Sequence, residues 1–161
     1  MVHLEVLCRQ SQRLFLQHSI SPERIINLMN GAICCTGISP SSELSICFIS
    51  AAQSASYTRY YKNKLKHSDV LSFPSTFDEP ESFGQIVVCL PVILSRLGFP
   101  SLLAGRLRHL LIHSFVHLMG KDHQTRQQAV EMQRIERFIA SKVCSLAPRQ
   151  RTTNALLPRA E

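Results

Sequence analysis

Leu102-Leu103-Ala104-Gly105-Arg106-Leu107-Arg108-His109-Leu110-Leu111-Ile112-His113-Ser114-Phe115-Val116-His117-Leu118-Met119 is an apolar stretch without proline, and it continues through Gly120-Lys121-Asp122 to His123. It reads as a helix. His113 and His117, four residues apart, then share one face about one turn from each other, the placement of two ligands of one metal ion. Gly120 supplies the stop, and a three-residue return can swing His123 back toward the same point. Three neutral imidazole nitrogens with an open fourth position form the arrangement of a catalytic zinc site rather than a closed structural one.

His109 extends the series at the same spacing. On a straight helix His109 and His117 stand about 12 Å apart along the axis, at roughly 1.5 Å per residue. Nitrogens about 2 Å from one metal must be much closer, so the pair next to the glycine turn, His113 and His117, is preferred. The alternative is that these are ordinary histidines in a hydrophobic helix, satisfied by hydrogen bonds.

Working outward, Val2 to Cys8 and Leu44 to Ile49 read as strands, and Val70 to Phe73 and Ile86 to Leu90 as short β-type runs. A helix with Ser21 as cap and Pro22 in its first turn carries Ile25, Ile26, Leu28 and Met29 at core spacing. Ala51 to Lys62 is a second helix. Thr125 to Val143 is the last, with Val130, Ile135, Phe138 and Ile139 expected on its core side. A polar loop with Asp78, Glu79 and Glu81 separates the two short β runs. Strands interleaved with helices at this length give an α+β fold: one domain, with helices packed on a small mixed sheet. The domain is expected over residues 1–146, with 147–161 a flexible basic tail carrying Arg149, Arg151 and Arg159.

The 161 residues suffice for one sizeable core. No apolar run approaches the roughly 20 residues of a membrane span, and the N-terminus lacks the basic and apolar segments of a signal peptide. A cytoplasmic location is expected. The six cysteines show no CxxC spacing, which suits reduced, mostly buried thiols.

A formal charge of +7 points to an anionic partner. Arg59, Lys62, Lys64 and Lys66 lie among Tyr57, Tyr60 and Tyr61 with no acidic residue between them. Cations beside aromatic rings suit a phosphate backbone with unstacked bases; the alternative is a solvated helix end whose tyrosines cap the core.

The segment from His113 to His123 resembles the H-G-x-x-H-L-x-G-x-D-H signature of the YbeY-type endoribonucleases. Ser68-Asp69-Val70-Leu71-Ser72-Phe73-Pro74 is similar to that family's T-D-V-L-S-F-P block, and Gly84-Gln85-Ile86-Val87-Val88 to its G-D-I-x-I strand, in the same order. The resemblance implies one zinc ion on His113, His117 and His123, and a four-stranded sheet with the zinc cleft between sheet and metal helix. It further implies cleavage of single-stranded RNA in maturation or quality control of small-subunit ribosomal RNA, with ribosomal RNA and the small ribosomal subunit as partners.

Four positions depart from the pattern. Lys62 stands for the usual arginine and keeps its charge without the planar fork. Gln85 replaces an aspartate near the sheet edge, Ser114 a glycine, and Lys121 an aromatic residue. None of the four is a metal ligand. Lys62 is the cation expected to stabilise charge on the phosphoryl oxygens. Asp122 either orients a ligand histidine or caps the turn. Ser72 and His67 either meet the RNA, beside Arg59, Lys64 and Lys66, or satisfy loop backbone groups.

Two other functions remain open on the sequence. One is a noncatalytic, zinc-containing ribosome- or RNA-binding assembly factor. The other is a zinc peptidase of the H-E-x-x-H kind, although the general-base glutamate of that motif is replaced by Ser114.

Overall fold

The structure is a computed structural model, and it describes residues 1–39, 42–62, 68–75 and 82–143. Four strands, β1 (Val2–Val6), β2 (Glu43–Phe48), β3 (Val70–Pro74) and β4 (Ser82–Val88), form one sheet in the order β1-β2-β4-β3. β1 and β4 both run parallel to the central β2, whereas β3 pairs antiparallel with β4 and forms an edge. The sheet is therefore mixed, as expected.

Among the described residues six α-helices surround it: α1 (Arg9–Gln17), α2 (Pro22–Thr36), α3 (Ala51–Lys62), α4 (Leu90–Arg96), α5 (Leu103–Leu118) and α6 (Arg126–Lys142). Successive strand side chains point to opposite faces. Leu44, Ile46, Phe48, Ile86 and Val88 thus meet Leu28 and Met29 of α2 and Leu107, Leu111 and Phe115 of α5 in the main core. Cys47, Ile49, Leu71 and Val87 pack on the other side with Val92. β2 and β4 are buried on both faces, which is why they read as nearly continuous apolar runs. Each fully buried Leu or Phe of α5 contributes about 1.5–3 kcal/mol relative to exposure, which holds α5 against the sheet.

The helix caps follow the sequence. The Ser21 side chain accepts from Arg24 N, with Pro22 in the first turn, and Thr125 and Gln128 form a reciprocal capping box. Gly84, at φ +134°, permits a close approach: a Cβ there would lie 2.5 Å from Phe73 O and 3.0 Å from Leu118 Cδ2. This position sets β3, β4 and the end of α5 against one another.

Several expectations are corrected. The run expected as strand from Ile86 to Leu90 is strand over Ser82–Val88, and Leu90 already begins α4. Pro91 in the first turn starts that helix, and the uninterrupted apolar sequence conceals the boundary. α1 had no sequence counterpart, since only Ser11, Leu14 and Phe15 of its nine residues are buried. On α6, Val130 and Phe138 face solvent at 62% and 48% exposure, while Met132 and Ile139 fill the core. Ile139 and the partly buried Ile135 lie on the core side as expected, and the face is rotated toward Met132 and away from Val130 and Phe138. Gln85 sits on the interior strand β4 rather than near the sheet edge, and its amide donates to Cys47 Sγ at 3.3 Å.

Of the five described cysteines, all unpaired, Cys47 and Cys89 are buried, Cys8 and Cys35 half-buried and Cys34 exposed, so fewer are buried than expected. Among the described residues no helix is long and apolar enough to cross a membrane. Asp78, Glu79, Glu81, Cys144 and the predicted basic tail lie outside the described residues.

Candidate metal centre

α5 ends in a Schellman motif. Lys121 N donates to Val116 O (3.2 Å) and Gly120 N to His117 O (2.9 Å), with Gly120 at φ +78°, where an L side chain is strained. The chain reverses here. Asp122 Oδ1 accepts from His123 N at 2.8 Å and Oδ2 from Gln124 Nε2 at 2.6 Å, which stiffens the return. The His123 ring comes back to 5.1 Å from His117 and 5.5 Å from His113, centroid to centroid.

One ligand atom from each of His113, His117 and His123 lies within 4.8 Å of the other two. His109 is outside this group; its ring stacks on His113 at 6.1 Å, and burial lowers its pKa.

The far sides of two rings are committed. His117 Nδ1 is 2.9 Å from Lys121 O, and a carbonyl only accepts, so Nδ1 carries the hydrogen and Nε2 is left for a metal. His113 Nδ1 is 2.6 Å from Glu136 Oε1 on α6. The two Nε2 atoms are 3.2 Å apart. Nitrogens about 2 Å from a shared tetrahedral zinc stand roughly 3.3 Å apart, so this pair is spaced to share one metal ion, with a His123 ligand atom within 4.8 Å of both. Burial, and next the neighbouring His113, hold the His117 imidazole below its usual pKa against the upward pull of the Lys121 carbonyl. The neutral form that a ligand requires is thereby favoured.

The histidines open into a cleft of about 610 Å³ between β3 and α5. Ser72 lines it, as does Arg106, whose Nη2 is 3.6 Å from Asp69 Oδ2. Arg96 reaches the same carboxylate oxygen at 3.3 Å. Arg59 is exposed on α3 and is not among the lining residues. For Lys62 only the backbone, the last residue of α3, is described, and Lys64, Lys66 and His67 lie outside the described residues. α3 instead acts locally through hydroxyls: Ser54 Oγ donates to Ser68 O at 2.6 Å, and Ser68 N donates to Thr58 Oγ1 at 3.2 Å. These bonds anchor the segment that leads into β3.

Sequence reasoning missed Arg106 and Glu136. Arg106 lies one helical turn before Leu110 on the cleft side of α5, a signal readable from the helix once the cleft side is known. Glu136 had no sequence signal toward His113, because 23 residues separate them. Asp122, weighed as an orienting carboxylate, bonds its own turn rather than a ring; the carboxylate that meets a ring is Glu136.

An α+β domain whose central helix and following turn converge three imidazoles on a cleft belongs to the class of proteins with a three-histidine group that could hold a metal ion. A model of the family Endoribonuclease YbeY matches residues 10–144, and the chain belongs to that family. A protein named Endoribonuclease YbeY from Coxiella burnetii (strain Dugway 5J108-111) is 34% identical over 109 residues, 63% of this chain and 70% of the relative. One of the same name from Acinetobacter baumannii (strain ACICU) is 33% identical over 125 residues, 71% and 78%. The solution structure of a Thermotoga maritima protein shares the fold, with a TM-score of 0.55 at 16% identity, over 88% of this chain and 90% of that one.

Proposed function

We propose that this protein is a zinc-dependent endoribonuclease that cuts single-stranded RNA in the maturation and quality control of small-subunit ribosomal RNA. The observation that carries this reading is the convergence of His113, His117 and His123, with ligand atoms within 4.8 Å, in the same cleft as Arg106. Family membership supports the RNA-cleaving class.

The three histidines would hold one ion. Bound there, zinc supplies Lewis acidity that brings water activation to neutral pH and polarises a phosphoryl oxygen. The protein's own groups do the rest. Glu136 and the Lys121 carbonyl aim two rings, and Asp122 holds the turn that delivers the third. The Arg106 guanidinium, steadied by Asp69, offers a planar donor pair for the nonbridging oxygens of a phosphodiester, where charge builds as the bond breaks. Ser72, which lines the cleft, is a proposed donor to the same strand. Lys62 remains the proposed further cation, and Arg59, Lys64 and Lys66 a proposed flanking basic surface.

A peptidase would need a carboxylate base next to the first histidine. Ser114 stands there, buried and without a hydrogen-bond partner among the described residues, while Glu136 and Asp122 are committed to His113 and to the turn. The test is cleavage of single-stranded RNA by purified protein, with and without chelator and beside His117→Ala, together with elemental analysis. One equivalent of zinc and cutting abolished by both treatments support the nuclease. Tight RNA binding without cutting would replace it with the assembly-factor reading, and casein cleavage alone with the peptidase.

A further inference from the structure

His113 and His123 line two cavities. One is the cleft against β3; the other, about 630 Å³, lies between α5 and α6 and is also lined by Arg108, Ile112, Met132, Gln133 and Arg137. The metal helix is thus a ridge with a hollow on either side, and the histidines stand at the crest. Both volumes fall within the roughly 300–1,000 Å³ of small-molecule sites.

The chemistry of the second hollow is that of a nucleotide. Its floor is apolar, with Ile112 and Met132 each 2% exposed. Its rim carries Arg137, exposed and without an ion pair among the described residues, and the Gln133 amide. Arg108 adds a second guanidinium, held in place by Nη2 donating to Ala140 O at 2.6 Å and Val143 O at 3.3 Å. The one carboxylate among the lining residues, Glu136, is turned to His113 Nδ1 at 2.6 Å, and the two guanidiniums outnumber its charge.

We infer that the α5–α6 cavity is a second RNA subsite, which takes the nucleotide next to the one whose phosphate lies at the histidine cluster, with Arg137 on the intervening phosphate. This rests on the endoribonuclease reading. A strand that crosses α5 at the histidines has one nucleotide in each hollow. To reach the apolar floor a base must leave its stack, which an unpaired strand allows and a duplex resists. The second hollow thereby gives a physical basis for a single-strand preference.

The test uses the full chain in EDTA, so that nothing is cut, and the anisotropy of a labelled single-stranded RNA titrated at several salt concentrations. Arg137→Glu is expected to weaken binding about tenfold or more and to lower the salt dependence by the ~0.7 log units per log salt of one single-strand phosphate contact. Arg13→Glu makes the same charge change on α1, which packs on β1 and α4, and is the control. In the zinc-loaded enzyme, Arg137→Glu should raise KM with little change in kcat. RNA carrying 5-iodouracil should cross-link to α6 in the unmodified protein, a readout that needs no variant. If Arg137→Glu binds like Arg13→Glu, or if cross-links are confined to the β3 side, the subsite is overturned while RNA cutting by the parent still stands. A parent that neither binds nor cuts RNA sinks both readings.

Discussion

Glu136 Oε1 stands 2.6 Å from His113 Nδ1, joining α6 to the metal helix at the ring that faces both His117 and His123. A carboxylate behind a histidine that is to bind a metal fixes the orientation of its ring. Glu136→Gln keeps the shape and removes the charge, so the affinity for zinc should fall about 10- to 100-fold while the fold persists. Competition against a chromogenic chelator reads the affinity and circular dichroism the fold; an unchanged zinc affinity would show that the contact does not tune the site.

Arg106 is the guanidinium that the structure places in the histidine cleft. Arg106→Ala should raise KM for RNA about tenfold, the loss of one charge-assisted contact, and leave zinc content at the parental level. Arg106→Lys should recover only part of the loss, because lysine lacks the planar fork. Full activity in Arg106→Ala would remove this residue from the substrate path.

Ser114 is 0% exposed and its hydroxyl has no hydrogen-bond partner among the described residues. An unmet buried polar group costs about 1–3 kcal/mol, and alanine is also the better helix former. Ser114→Ala should therefore stabilise the protein by about 1 kcal/mol, seen as a higher urea midpoint at constant m-value. A lower midpoint would mean that the hydroxyl is satisfied in solution.

Gly84→Ala should act in the opposite direction. The new Cβ would meet the Phe73 carbonyl, a backbone atom that cannot step aside, at a φ unfavourable to L side chains. Strain and overpacking together are expected to cost about 2 kcal/mol or more, with zinc affinity falling as well because Leu118 at the end of α5 is pushed. Thermal melts and chelator competition check both parts.

Burial raises the thiol pKa of Cys47 and Cys89, the Glu5 charge adding to the effect at Cys47. A raised pKa means less thiolate at a given pH, so both should resist iodoacetamide in the native protein at pH 8 and react on unfolding. The exposed Cys34 should be modified first. Peptide mapping by mass spectrometry at early times gives the order, and early labelling of Cys89 would contradict it.

The parts of this protein that were legible in its sequence are local. His113 and His117 share a face because helical periodicity puts residues four apart together, and Gly120 ends the helix because it accepts a positive φ. Ser21 and Thr125 cap the helices that follow them for reasons contained within four residues. The alternation and apolarity of β2 likewise announce a strand before any partner is known.

What only the tertiary structure decided is which distant groups meet. Glu136 reaches His113, and Arg106 reaches Asp69, through the packing of α6 and β3 on α5, and no spacing along the chain encodes either contact. The rotation of α6 and the point where β4 gives way to α4 were hidden for the same reason. Apolar residues such as Val130 and Met132 have similar burial free energies, so the partner surface selects between them, and a continuous buried run carries no mark of where strand becomes helix. Periodicity brought His113 and His117 to one face; the fold supplied the carboxylate that meets His113 and the cation that shares the cleft.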